Sequence, residues 1–281
     1  MIVTSPDPSD VLRDCVASLA AQEDASEIVV AASSDADPHD WLQREFPSVR
    51  VLVFPEPRTS PQLRWAALAH TSGRLVAATE SRCVPSRDWC ATLVRAHERW
   101  RDAPAIGGPV TLTPSASALD WGLYLSEYAR FAPPLADGPA DEISGANLSY
   151  KRQALDEARD QLDAGAWEVF VHARWIAQGR RLAQSQATVT FRNGMSASAA
   201  LGLRFRYGRS YAAGRSTTIP AARRLVLIAG SPLLPAVLTW RLFQTARRKR
   251  LVGPFARSFA WSLAFNIAWS AGELVGYVSG R

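Results

Sequence analysis

"PQLRWAALAHTSGRLVAATESRCVPSRDW", residues 61–89, changes its pattern twice within 29 residues. The stretch 61–72 reads as a helix with Gly73 as its C-cap. Arg74-Leu75-Val76-Ala77-Ala78-Thr79 reads as an apolar strand. Glu80-Ser81-Arg82 follows at once, so these side chains are expected to leave the carboxyl end of a strand. Open α/β sheets bind their ligands at such ends. "SRDWCATLVRAHERW" (86–100) then predicts another helix, with Ser86 as N-cap.

The same alternation extends outward. "MIVTS" reads as a strand, "SDVLRDCVASLAAQ" as a helix capped by Ser9, and "EIVVAAS" as the next strand. "WLQREF" is a short helix, "VRVLVFP" a third strand, and "AIGGPVTL" (105–112) a strand after the quoted block. Alternating strands and amphipathic helices predict an α/β fold built of βαβ units. The middle of the chain is less regular. "ALDWGLYLSEYARF" is helical, "ISGANLSYKRQAL" is a strand entering a helix, "WEVFVHARWIAQG" is a helix ended by Gly179, and "RLAQSQATVTFR" is strand-like.

Charge divides the 281 residues unevenly. Residues 1–200 hold 19 Lys+Arg against 25 Asp+Glu, a net −6, whereas 201–281 hold 13 against 1, a net +12. This predicts a body over 1–200 and a basic helical tail over 201–281, with an anionic surface as partner. The tail has two uncharged runs, 225–240 and 258–272, which predict helices at about 222–245 and 256–279. Pro232 and Pro235 interrupt the first run, and arginine clusters stand on both sides of it, so one crossing would leave a cluster on the far side. Interfacial or re-entrant helices satisfy both clusters and are the expectation. Trp240, Trp261, Trp269 and Tyr277 fit either interfacial anchors or core packing. A nucleic-acid groove is excluded, because it wants charge interleaved with aromatics and not long uncharged runs. Cys15, Cys83 and Cys90 make no disulfide framework or metal pattern, and His39, His70, His97 and His172 have no ligand spacing. "MIVTSPDPSD" lacks a signal-peptide pattern, so the body is expected at the cytoplasmic face of the membrane.

In their order these blocks resemble inverting family 2 glycosyltransferases of the GT-A fold. "LRDCVASLAAQEDASEIVVAASSD" is similar to the family's first helix and second strand, and 61–89 to its helix, strand and metal-motif block. "AIGGPV" is similar to the strand that follows. "ISGANLSYKRQAL" is similar to the acceptor-side segment, and "AWEVFVHARWIAQGRRL" to the segment carrying the base. "YGRSYAAGR" and "AWSAGELVGYVSG" resemble the membrane-proximal tail of bacterial, cell-envelope members. The resemblance implies a GT-A-like, Rossmann-type mixed sheet. It also implies transfer of a sugar from a nucleotide-diphospho sugar to an acceptor hydroxyl, lipid-linked or on a small molecule. Glu168 matches the general base, with Asp163 as the fallback. A surface glutamate paired with Arg174 or His172 is the ordinary alternative for Glu168. Arg64 matches a family arginine on the donor side, and Ser144, Gly145 and Asn147 fall on the acceptor side.

Two positions depart from the family pattern. Arg82 stands where the resemblance implies an acid that holds Mg2+ or Mn2+, and Ser81 stands at the centre of that motif. Arginine has no lone pair for a metal, but it grips phosphate oxygens in pairs. Three readings stay open: Arg82 replaces the metal, the chain is an inactive relative binding a nucleotide sugar or a partner protein, or Glu80 holds a metal with help from elsewhere. At the end of the second strand, Asp35 is the first acid available for the donor base.

Overall fold

The computed structural model describes every residue except 24–26, 35–36, 114 and 281. Its chain divides into two compact units, residues 1–111 with 131–194, and residues 112–130 with 195–281.

The first unit is built on a sheet of eight strands in the order β3-β2-β1-β4-β9-β6-β10-β8. These are β1 (Ile2–Ser5), β2 (Val29–Ser33), β3 (Arg50–Phe54), β4 (Leu75–Glu80), β6 (Ala105–Gly107), β8 (Gly138–Ala140), β9 (Asn147–Lys151) and β10 (Leu182–Gln184). A second sheet pairs β5 (Cys83–Pro85), β11 (Val189–Phe191) and β7 (Val110–Leu112), with β11 in the middle. β1 runs parallel to both β2 and β4, and β2 parallel to β3. Every side chain of β2 is buried, as expected of a parallel strand covered on both faces. The helices are α1 (Leu12–Ala20), α2 (His39–Glu45), α3 (Ser60–Leu68), α4 (Trp89–Arg99), α6 (Arg152–Glu157), α7 (Arg159–Asp163) and α8 (Glu168–Ala177).

β9 enters antiparallel between β4 and β6, pairing Asn147 with Thr79. That register lays residues 144–147 beside the end of β4. The order β2-β1-β4 also places the end of β4 at the topological switch point of the sheet, where a crevice opens. A core of Leu63, Trp65, Val76, Leu148, Tyr150 and Trp175 ties α3 and α8 to this part of the sheet.

Several expected ends differ. α1 begins at Leu12 with Val11 as N-cap, and Ser9 instead donates its hydroxyl to the Ser81 carbonyl at 3.5 Å. α3 ends at Leu68 with Ala69 as C-cap, so Gly73 belongs to the turn into β4. The N-cap of α4 is Asp88, and Ser86 donates to its carboxylate at 3.0 Å. The segments 105–112 and 182–191 each divide into two strands, one in each sheet. Gly179 does end α8, in the left-handed region with φ of 81°.

The second unit is helical: α5 (Ala118–Tyr128), α9 (Ala197–Ser216), α10 (Ala221–Gly230), α11 (Leu234–Arg248), α12 (Val252–Arg257) and α13 (Phe259–Ser279). A 3-10 turn, Ser231–Leu233, carries Pro232 and joins α10 to α11. The tail begins at 201 in the sequence reading, but residues 112–130 pack with it, because α5 supplies the partner of a buried arginine. Arg204 meets Glu127 at 3.4 Å, both buried, and its guanidinium lies 4.5 Å above the Trp269 ring. Among the four aromatic anchors, Trp240 is 58% exposed while Tyr277 is buried at 1%, receiving Arg215 on its hydroxyl at 3.2 Å.

Candidate active site

Glu80 closes β4 opposite Thr4 of β1. The chain then stays inside the protein: the Ser81 amide donates to the Thr4 carbonyl at 2.9 Å, and the Arg82 carbonyl accepts from the Arg192 amide at 2.8 Å. Ser81 and Arg82 are 3% and 4% exposed, so they do not emerge freely from the strand end as the sequence predicts. Glu80 is half-buried.

The nearest functional grouping forms around Arg64, on α3. Gln62 and Thr59 close a capping box at the start of this helix, which sets its first turn against the sheet. Arg64 is 1% exposed. Its Nη2 donates to the Gly145 carbonyl at 2.7 Å, and its Nη1 lies 3.2 Å from Glu168 Oε2. Burial pushes the guanidinium's pKa down, but the interaction with Glu168, with further contributions from Tyr150 and Glu80, outweighs it and the net shift is upward. Arg64 is therefore a firmly charged cation beneath the site. The resemblance implies a donor-side role for it; in the structure it is paired with Glu168.

Glu168 is the first residue of α8 and is 7% exposed. A carboxylate there lies against the positive end of the helix dipole. A Cβ built on Gly145 would stand 1.8 Å from Glu168 Oε1, so only glycine leaves room for the carboxylate to rest on the backbone. Glu168 is thus not a solvated helical glutamate. Arg174 pairs with Asp160 at 2.8 Å, and His172 shares a 3.0 Å hydrogen bond with the Tyr150 hydroxyl.

Ser144 and Asn147 have structural duties. The Ser144 hydroxyl accepts from the Ala146 amide at 3.2 Å. Asn147 is fully buried: its Oδ1 accepts from Trp89 Nε1 at 2.8 Å, and its Nδ2 donates to the carbonyls of Pro109 at 2.8 Å and Ala187 at 2.7 Å. It links segments leading to both sheets through these three hydrogen bonds. Of the expected acceptor-side residues, Gly145 alone touches the Arg64–Glu168 pair. Asp35 lies outside the described residues.

Asp163, the fallback base, lies on the rim of a cleft of about 390 Å3. Glu56, Arg58, Gln62 and Trp65 also line it. Asp163 is exposed and pairs with Arg159 at 3.2 Å. The cleft and the buried pair share a wall, because Trp65 Nε1 donates to the Ala166 carbonyl, two residues before Glu168, at 2.7 Å.

Among the described residues no three His, Cys, Asp or Glu side chains gather as a metal site. Glu80 is the single acid of its motif, and the neighbouring arginine offers no lone pair. This donor set does not fit a divalent cation.

Sequence reasoning missed the Tyr150–His172 pair, whose residues no spacing rule connects. Burial, then the Arg64 charge, push the His172 pKa from 6.5 down to about 3. Burial and Lys151 push His97, bonded to Ser149, down to about 4. Unfolded imidazoles take up protons below about 6.5, while these do so only near 3 and 4. The unfolded state therefore binds more protons across that window, and stability falls as pH drops through it. His172→Phe is expected to flatten the decline of the melting temperature between pH 7 and pH 4; parallel declines would refute the assignment.

No protein-family model matches the chain, and no curated protein matches it in sequence. Solved structures do resemble it. One is the mannosyltransferase PcManGT from Pyrobaculum calidifontis in complex with GDP-Man and Mn2+, at 17% identity, covering 97% of this chain and 86% of that one with a TM-score of 0.59. Another is GalNAc-T7 with UDP, GalNAc and Mn2+, at 13% identity over 69% and 43% of the two chains, with a TM-score of 0.53. A third is S. aureus TarS 1-349, at 11% identity over 94% and 89%, with a TM-score of 0.50. A central mixed sheet flanked by helices matches these proteins, and the fold of the present chain is that of the GT-A glycosyltransferases.

Proposed function

We propose that this chain is an inverting glycosyltransferase that moves a sugar from a nucleotide-diphospho sugar to an acceptor hydroxyl. The observation that carries this reading is the Glu168 carboxylate, held at the start of α8 against Gly145 and Arg64 beside the end of β4. The solved structures with similar folds lend support, since two of them are complexes with GDP-Man or with UDP and GalNAc.

In this reading the acceptor oxygen attacks the anomeric carbon as the bond to the diphosphate breaks. The nucleoside diphosphate leaves from the opposite face, and Glu168 takes the hydroxyl proton. Arg64 fixes the carboxylate's position. Negative charge grows on the leaving group, and Arg82 is the cation assigned to it. That role requires the Arg82 side chain to turn outward when the donor binds, because it is buried in the structure. A lipid-linked hydroxyl at the cytoplasmic face of a membrane is the acceptor class we favour, given the basic and apolar second unit.

Glu168→Gln keeps the shape and removes the base. Because it also removes the charge facing Arg64, the comparison is made per folded molecule, whose transfer rate is expected to fall about 100- to 10,000-fold with donor binding retained. A thermal-shift series of nucleoside diphosphates, with Mn2+ and with EDTA, tests the donor site. A shift that survives EDTA and disappears in Arg82→Ala supports this role for Arg82, while a shift that needs Mn2+ defeats it. The enclosed Arg82 and the ion-paired Glu168 favour one second reading, an inactive relative that binds a nucleotide sugar or a partner protein. In that case Glu168→Gln leaves the biological function intact.

A further inference from the structure

The helical unit carries an apolar surface that no part of its own unit covers. Residues 221–248 form one 28-residue helical stretch whose most apolar 18-residue window has a mean hydropathy of 1.6, and only 11% of that window is buried. Leu225, Val226, Leu233, Val237 and Trp240 are each at least 41% exposed. Steps of four residues from Leu225 pass through Ala229 and Leu233 to Val237, and Trp240 follows three later, so they share one side of the helix. The side facing the unit differs: Ser231, Leu242, Thr245 and Ala246 are buried. Thr239 accepts a hydrogen bond from Asn266 of α13 at 3.0 Å.

The ends of this stripe determine its partner. Arg223 precedes it and Arg241, Arg247 and Arg248 follow it, all exposed. No acid occurs from residue 201 until Glu273. An apolar strip between cationic ends complements the layered chemistry of an anionic bilayer, acyl chains beneath phosphates. The strip from Leu225 to Trp240 is about 22 Å long at 1.5 Å per residue, short of the roughly 30 Å hydrocarbon core. Its middle is broken by the proline-bearing turn at 231–233. Both cationic ends would favour the same face of the membrane.

We propose that the outward side of α10 and α11 lies in the plane of an anionic membrane. Leu225, Val226, Leu233, Val237 and Trp240 sit among the upper acyl chains, with Arg223, Arg241 and Arg247 on lipid phosphates. This deepens the membrane reading above by naming the surface, its orientation and the lipid charge it selects. Arg224 takes no part, because its guanidinium donates to the carbonyls of Tyr277 and Val278 within the unit.

Flotation of the purified full chain with phosphatidylcholine vesicles, with and without phosphatidylglycerol, tests it. Binding is expected to the anionic vesicles and to weaken in high salt. The triple variant Arg223→Ala, Arg241→Ala, Arg247→Ala should lose about 100-fold in affinity. Leu225→Asp with Leu233→Asp should abolish binding while leaving circular dichroism and the melting temperature unchanged, because these sites are exposed. Equal binding to neutral vesicles overturns the proposal, as does vesicle binding that both variants retain, although the second result leaves membrane association by another surface standing. Protection of residues 249–258 from trypsin added outside the vesicles would show a crossing helix and refute the in-plane arrangement. A dimer dissolved by the aspartate pair, without vesicle binding, would show that a second copy covers the stripe and would also refute it. None of these measurements depends on sugar transfer.

Discussion

Arg64→Met is expected to destabilise the first unit by about 3–5 kcal/mol, the cost typical of removing one member of a buried ion pair. The reason is the enclosure of both partners. Arg64 is 1% exposed and Glu168 7%, and their closest atoms are 3.2 Å apart. Deleting the cation leaves a carboxylate out of reach of bulk water and removes the donor to the Gly145 carbonyl as well. Glu168→Leu should be costly for the converse reason. The double variant Arg64→Met/Glu168→Leu should recover much of the loss, since apolar side chains of similar volume often replace a buried pair at little net cost. Denaturant unfolding of the four proteins gives the coupling directly. Additive losses would show that the pair is not coupled and would remove Arg64 as the residue that positions Glu168.

Gly272→Ala should disrupt the second unit by more than the 1–3 kcal/mol that overpacking typically costs. A Cβ on Gly272 would stand 2.1 Å from the Phe205 carbonyl oxygen and 2.9 Å from the Arg209 amide nitrogen, both backbone atoms of α9. Backbone cannot rotate out of the way as a side chain does, so the helices must separate. Gly276 on α13 and Gly208 on α9 make the same kind of approach, to the Arg209 and Trp269 carbonyls at 2.3 Å each. Gly253→Ala in α12 is the control. Nothing lies within 4 Å of its Cβ position, so alanine is expected to leave the melting temperature nearly unchanged there. Equal melting temperatures for Gly272→Ala and the parent would contradict the close α9–α13 contact.

Much of the first unit was legible because its local signals agree. The run "EIVVAAS" has the length and composition of a buried strand, and β2 is buried at every position. "RLVAATESR" announced a strand ending in charge, and β4 ends at Glu80. The caps were misplaced for a consistent reason. Ser9 and Ser86 have the right chemistry, but Ser9 is bonded to the Ser81 carbonyl and Ser86 to Asp88, so tertiary or neighbouring partners claimed their side chains. The α5 segment read as part of the body because helical periodicity says only which side is apolar, not which unit it meets.

The sequence by itself determined the α/β order, the apolar strand that ends at Glu80 and the split of charge between body and tail. Those follow from residue type and spacing along the chain. Only the tertiary structure decided that Arg64 is paired with Glu168, that Asn147 is hydrogen-bonded into the scaffold, and that Arg82 is enclosed. Each depends on a contact across tens of residues, such as the 104 positions from Arg64 to Glu168, roughly thirty times a helical side-chain neighbour's three- or four-residue reach. Burial decides the charge chemistry there, because a guanidinium that lies on water in one fold becomes a carboxylate's fixed partner once another fold removes the water.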